Sequence, residues 1–124
     1  MRTEVLVVDD EKGYQDLLAY LLEPLKIRVT CVSDGDEALR QVRETNFDLI
    51  IMDYHLPGLN GIDTFEKIKS IRPDQKVVIF SSSTNPDEIL GSEVIQHHAP
   101  ICLFKPAELD EIREVLCETL GIAI

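Results

Sequence analysis

The chain has no tryptophan, four phenylalanines, three tyrosines and three cysteines. Basic residues are also scarce, with 12 Lys and Arg against 23 Asp and Glu, a formal net charge of −11. Such a balance argues against direct contact with nucleic acid or an anionic membrane by this chain. Cys31, Cys102 and Cys117 are an odd number at spacings that match no zinc or redox motif. Cys31 and Cys102 sit within apolar strand candidates and are expected as small buried hydrophobes, whereas Cys117, in a late helix, is expected to be partly exposed. No apolar run approaches the roughly 20 residues of a membrane span. Residues 1–8 hold a strand-like run instead of the long apolar core of a secretion leader. A cytoplasmic location without membrane contact is the resulting expectation. Linkers, internal repeats and low-complexity segments are likewise missing from the pattern.

What is present is ordinary for a folded domain. Residues 1–124 fit one domain, and 44% hydrophobic with 28% charged content can bury a single good core. Strand and helix patterns alternate with short connections, the signature of a βα repeat and a parallel sheet. Strands are expected at 4–8, 27–32, 48–52, 76–80 and 101–104. The first is apolar throughout, as a strand covered on both faces should be, while the second alternates Ile27, Val29 and Cys31 with polar neighbours, as suits a sheet edge.

Helical spacing joins Tyr14, Leu17, Leu18, Leu21 and Leu22, with Pro24 ending the run, then Ala38, Leu39 and Val42 behind a Ser33 or Asp34 cap. A third stripe holds Ile62, Phe65, Ile68 and Ile71 and stops at Pro73, and a fifth, from Ala107, repeats Leu109, Ile112, Leu116 and Leu120. The fourth helix, roughly 86–97 behind an Asn85-Pro86 start, carries Gly91 and little stabilising charge pairing, so it is the weakest and a candidate mobile element.

Four strand candidates end on or just before a polar residue able to do chemistry: Asp9-Asp10, Asp53, Ser81, and Lys105-Pro106. A parallel sheet brings those ends to one edge, where ligands bind in open α/β folds. Two carboxylates about 4 Å apart repel by about 4 kcal/mol at an effective dielectric of about 20. Such a cluster is tolerable if a proton stays on or a hard cation sits among the oxygens. Mg²⁺ accepts one or two carboxylates, keeps several waters and favours a phosphate oxygen as a further ligand. Lys105 offers a point charge to a phosphoryl oxygen and Ser81 a hydroxyl donor. Asp53, ending the central strand, is then the natural nucleophile, because carboxylates form acyl-phosphate intermediates. Taken singly these residues read as caps, turn formers or surface groups; their convergence on one edge is what favours chemistry.

With those residues in place the chain resembles the receiver domain of bacterial two-component response regulators over essentially its full length. The resemblance is carried by Val7-Val8-Asp9-Asp10, by Met52-Asp53 followed by the Pro57-Gly58-Leu59-Asn60-Gly61 turn, by Ser81 with small Ser82 after it, and by Lys105-Pro106. It implies a flavodoxin-like doubly wound (βα)5 domain, with five parallel strands in order 2-1-3-4-5 and five helices. It implies Mg²⁺-dependent transfer of a phosphoryl group to Asp53 from a phosphohistidine on a histidine kinase or histidine phosphotransfer protein. Mg²⁺ would be held by Asp10 and Asp53, by Asp9 directly or through water, and by the backbone carbonyl of His55. Ser81 and Lys105 would hold the phosphoryl oxygens, and the 86–106 face would shift to signal a downstream protein.

The chain departs from the family at Cys102, where receivers usually carry a switch Tyr or Phe three residues before the lysine, and at His98-Ala99 in place of Gly-Ala. His55 and Ser83 border the phosphoryl position in the family; His55 either orders a water or points to solvent. His97 and His98 suit a helix C-terminus better than a metal role. With no further domain after residue 124, the chain is expected to act as a stand-alone receiver through protein contacts and not as an enzyme. The alternatives are a phosphorylation-independent docking module, a phosphate shuttle in a phosphorelay, and an aspartyl-phosphate phosphatase, the last disfavoured because His55 stands where a general acid would.

Overall fold

The computed structural model describes residues 3–58, 61–81, 86–98 and 100–121. The strands are β1 Glu4–Val8, β2 Arg28–Val32, β3 Leu49–Met52, β4 Val77–Ser81 and β5 Ile101–Phe104. They form one five-stranded sheet in the order β2-β1-β3-β4-β5, every pairing parallel. The helices are α1 Lys12–Leu22, α2 Gly35–Glu44, α3 Gly61–Ile71, α4 Pro86–Leu90, α5 Glu93–His98 and α6 Leu109–Leu120, with a 3-10 turn at Glu23–Leu25. The expected flavodoxin-like doubly wound fold and strand order are therefore the observed ones. Among the described residues no helix is long and apolar enough to cross a membrane.

Alternation along the strands divides the core in two. Val5, Val7, Leu49, Ile51, Val78, Phe80 and Leu103 meet Leu18, Leu21 and Leu22 of α1 and Ile112 and Leu116 of α6. Leu6, Val8, Ile50, Met52 and Ile79 face the other way, against Ala38, Leu39 and Val42 of α2, Phe65 and Ile68 of α3, and Ile89 and Ile95 of α4 and α5. Burying a Leu, Ile or Phe side chain contributes about 1.5–3 kcal/mol, so the central strands, covered on both faces, anchor the domain. Of the two candidate caps for α2 it is Asp34 that closes the helix, accepting the Glu37 N–H at 2.9 Å.

Four expectations are corrected. The weak helix over 86–97 is two short helices broken at Gly91 and Ser92, each held by a single buried isoleucine, Ile89 and Ile95. Gly91 donates its N–H to Asp87 O at 2.8 Å and ends the first turn there. Cys31 is exposed, because β2 is the sheet edge, and Cys102 is only partly buried on the opposite edge strand. Ile71 and Leu109, placed on apolar stripes, lie exposed at helix ends, and α6 starts at Leu109 instead of Ala107. Cys117 is partly exposed as expected. The turn residues Leu59 and Asn60, the Ser82, Ser83 and Thr84 run, the Asn85 cap and Ala99 lie outside the described residues.

Two glycines make opposite demands. A Cβ on Gly61 would overlap the Tyr54 carbonyl, whose oxygen accepts the Gly61 N–H at 2.9 Å, whereas a Cβ on Gly13 in α1 would meet nothing within 4 Å. Gly61→Ala is therefore expected to destabilise by about 1–3 kcal/mol, as overpacking does. Gly13→Ala is expected to stabilise by about 0.5–1 kcal/mol through helix propensity. Urea-unfolding midpoints of the two variants, moving in opposite directions from wild type, check both.

Candidate functional site

The sheet ladder continues one step past the strands and holds each chemical residue by the strand beside it. Asp9 N–H donates to Val32 O at 3.1 Å, Asp53 N–H to Val8 O at 2.9 Å, and Lys105 N–H to Ser81 O at 2.7 Å. Asp9, Asp53, Ser81 and Lys105 thus reach one edge because four adjacent parallel strands end there, β4 and β5 running two residues past the level of Val8 and Met52.

Lys105 runs inward, its side chain only 3% exposed, and its ammonium Nζ lies 2.7 Å from Asp9 Oδ2 and 3.3 Å from Asp53 Oδ2. Glu11 Oε1 stands 3.5 Å from the same nitrogen. The Tyr14 ring lies 4.0 Å below Nζ and packs edge-on to Phe80, so the ammonium is also held over an aromatic face. The second carboxylate oxygens are tied locally: Asp9 Oδ1 accepts the Glu11 N–H at 2.9 Å and Asp53 Oδ1 accepts the His55 N–H at 3.0 Å. Gln15 Nε2 donates to the Asp9 carbonyl and steadies the loop after β1. Ser81 is fully buried at the end of β4.

Asp9 and Asp53 are each 2% exposed, whereas Asp10 is exposed at the mouth. Oxygens of all three lie within 4.8 Å of one another. That spacing, with one carboxylate open to water, fits a hard cation that keeps part of its hydration shell. Among the described residues this is the one such His, Cys, Asp or Glu group; His97 and His98, at the end of α5, are outside it, and the His98 ring packs edge-on against Phe65. A separate cavity of about 570 Å³, lined by Phe47, Arg72, Gln75 and Lys76, opens at the opposite edge of the sheet. Its cations are already engaged, Arg72 with Val42 O and Lys76 with Thr119 O.

Burial pushes the Asp9 carboxyl above its ordinary value, and the hydrogen bond from Lys105 opposes this without cancelling it. Burial also pulls Lys105 down, but the hydrogen bond to Asp9 and the charges of Asp53, Asp9 and Glu11 together hold it above its usual value. Lys105 therefore stays charged at neutral pH.

The sequence matches the response regulator receiver domain over residues 5–117. The chain belongs to the response-regulator receiver family. It is 32% identical over 120 residues to the transcriptional regulatory protein ZraR of Klebsiella oxytoca, covering 97% of this chain and 27% of ZraR. It is 33% identical over 109 residues to the DNA-binding response regulator MtrA of Mycolicibacterium smegmatis, covering 88% of this chain and 48% of MtrA. It thus spans less than half the length of either relative. Among solved structures it resembles the response regulator TrrA of Thermotoga maritima in complex with Mg²⁺-BeF, with a TM-score of 0.84 and 25% identity over 95% of this chain and 99% of that one.

Of the residues of the receiver pattern read from the sequence, Asp9, Asp10, Asp53, Ser81 and Lys105 lie at this edge. Three neighbours went unread. Glu11 prolongs the acidic pair into a run of three, a signal that was there to use; Tyr14 passes for a core residue by its helical spacing, and Gln15 leaves no trace in the pattern.

The Asp9 shift has a definite sign. A carboxyl whose folded value is raised contributes stability below the ordinary carboxylate range and loses it as pH rises through the folded value. The metal-free protein is expected to lose stability over that interval, and Asp9→Asn to be more stable than wild type at neutral pH, the gap closing on acidification. Urea titrations of both proteins between acid and neutral pH measure this; parallel curves would show that burial does not dominate at Asp9.

Proposed function

We propose that this receiver accepts a phosphoryl group on Asp53 from a phosphohistidine of a histidine kinase or histidine phosphotransfer protein. The observation that carries the reading is the Lys105 ammonium held between buried Asp9 and Asp53 beside the exposed Asp10. An Asp53 carboxylate oxygen forms the bond to phosphorus as the bond from phosphorus to the imidazole nitrogen breaks, and that nitrogen keeps the electron pair. Asp10 and Asp53 would hold Mg²⁺ with the His55 carbonyl, and Asp9 directly or through water. Mg²⁺ bound there supplies the positive charge that lets the carboxylates and the phosphoryl oxygens share one space. Lys105 meets one phosphoryl oxygen and the Ser81 hydroxyl donates to another, so most of the acceleration is positioning and electrostatics. The complex of TrrA with Mg²⁺-BeF supports the same pairing of metal and phosphoryl mimic here.

Output would run through the 86–106 face to a downstream protein. Supporting this, α4 and α5 are 5 and 6 residues long. Helices that short have little stability of their own and shift at low cost. Phosphate contacts that favour one arrangement then move the population. Cys102 shares its sheet face with Phe104, two places apart, and its thiol lies 3.7 Å from Pro100 O. So small a group cannot swing as an aromatic does, which favours signalling by movement of α4 and β5 over a side-chain rotation. The same small group is the one observation that favours a phosphorylation-independent docking module as the second reading. The net charge of −11 fits a chain that contacts proteins in the cytoplasm and not nucleic acid or membrane.

Incubation with acetyl phosphate is expected to add one phosphoryl mass that requires Mg²⁺ and is lost in Asp53→Asn. A folded protein that gains nothing and also fails to bind beryllofluoride would return the site to the docking-module reading.

A further inference from the structure

We infer that Glu11 is a donor-selecting residue, its carboxylate disfavouring small dianionic phosphoryl donors relative to less charged ones. This rests on the phosphoacceptor reading of Asp53. Glu11 occupies the N-cap of α1 with extended backbone, yet its side chain makes no capping hydrogen bond. N-caps favour short Ser, Thr, Asp or Asn side chains that close the first helical N–H groups. Glu11 instead extends to Lys105, its Oε1 3.5 Å from Nζ, with the side chain 50% exposed. Its carboxylate is thereby spent on the site and not on the helix.

Charge at this edge is layered. Asp9 and Asp53 are buried against Lys105, while Asp10 and Glu11 stand at the mouth that an incoming phosphoryl group must cross. Asp10 belongs to the carboxylate group able to hold a cation, and Glu11 does not. Once a cation is held, the exposed carboxylate left at the rim is Glu11, half-exposed and only loosely shared with Lys105 at 3.5 Å. A fixed charge at the rim of a cleft acts on the charge of the entering molecule.

Acetyl phosphate is a dianion near neutral pH and phosphoramidate a net monoanion, and both deliver the same group. The bond from the Asp53 oxygen to phosphorus forms while the bond to acetate, or to ammonia, breaks and the leaving group takes the electron pair. The experiment measures second-order phosphorylation rates by intact mass for both donors, with saturating Mg²⁺ and low salt, in wild type, Glu11→Asp, Glu11→Gln and Glu11→Lys. A unit charge acting over roughly 8 Å of water changes the rate about twofold per donor charge. The ratio of acetyl phosphate to phosphoramidate rates should then rise about twofold in Glu11→Gln and about fourfold in Glu11→Lys. It should stay at the wild-type value in Glu11→Asp. At about 1 M salt, where screening acts within about 3 Å, the ratios should converge. Ratios fixed at the wild-type value in the Gln and Lys variants, with phosphorylation proceeding, overturn the inference and leave the phosphoacceptor assignment standing. A helix-stabilising role for Glu11 would slow both donors alike and also overturn it. If wild type gains no phosphate from either donor, the phosphoacceptor reading fails and this inference with it.

Discussion

Asp9 and Asp53 are two carboxylates buried side by side, and the organisation of the sheet edge follows from how their repulsion is offset. A single ammonium, Lys105, is shared between them, with Glu11 drawing on it as well. Burial weakens the ionised form of Asp9 even with that partner, so the metal-free site is short of positive charge. The same imbalance would favour a cation among these oxygens, as the proposed function requires.

The scaffold tolerates this cost because the surrounding strands are buried on both faces. β1, β3 and β4 are sealed by α1 and α6 on one side and by α2 and α3 on the other, and the carbonyls that end β1 and β4 accept the N–H groups of Asp53 and Lys105. Rigidity is not uniform, however. On the β5 side α6 still covers one face, but the elements covering the other shrink to two short helices broken at Gly91, each with one buried isoleucine. The site therefore joins the well-covered half that positions Asp9 and Asp53 to a half in which α4 and α5 are short. That asymmetry is what the proposed shift of the 86–106 face would require.

Much of this was legible in the residues. Uniformly apolar strands such as Val5-Leu6-Val7-Val8 announce burial on both faces, and the polar residue ending each strand marks the reactive edge. The misreadings share one cause. Cys31 has the composition of a core residue, but it lies on an outer strand where one side of the sheet has nothing beyond it. Ile71 and Leu109 obey the helical period yet fall at helix ends, past the reach of the facing helix. A one-dimensional pattern records which face a residue takes and not whether that face is covered at its height.

By itself the sequence determined the parallel sheet and which polar residues end its strands, because period, turn chemistry and strand ends are local properties of the chain. Only the tertiary structure decided which charges share which partner. Lys105 lies 96 residues from Asp9 and 52 from Asp53, and the preference of its ammonium for Asp9 depends on distances set by three different strands. The reach of Glu11 into the site, the Tyr14 ring beneath Lys105 and the raised Asp9 carboxyl are likewise products of proximity and burial. Electrostatic interaction depends on separation and on the surrounding medium, and both exist only once the chain has folded.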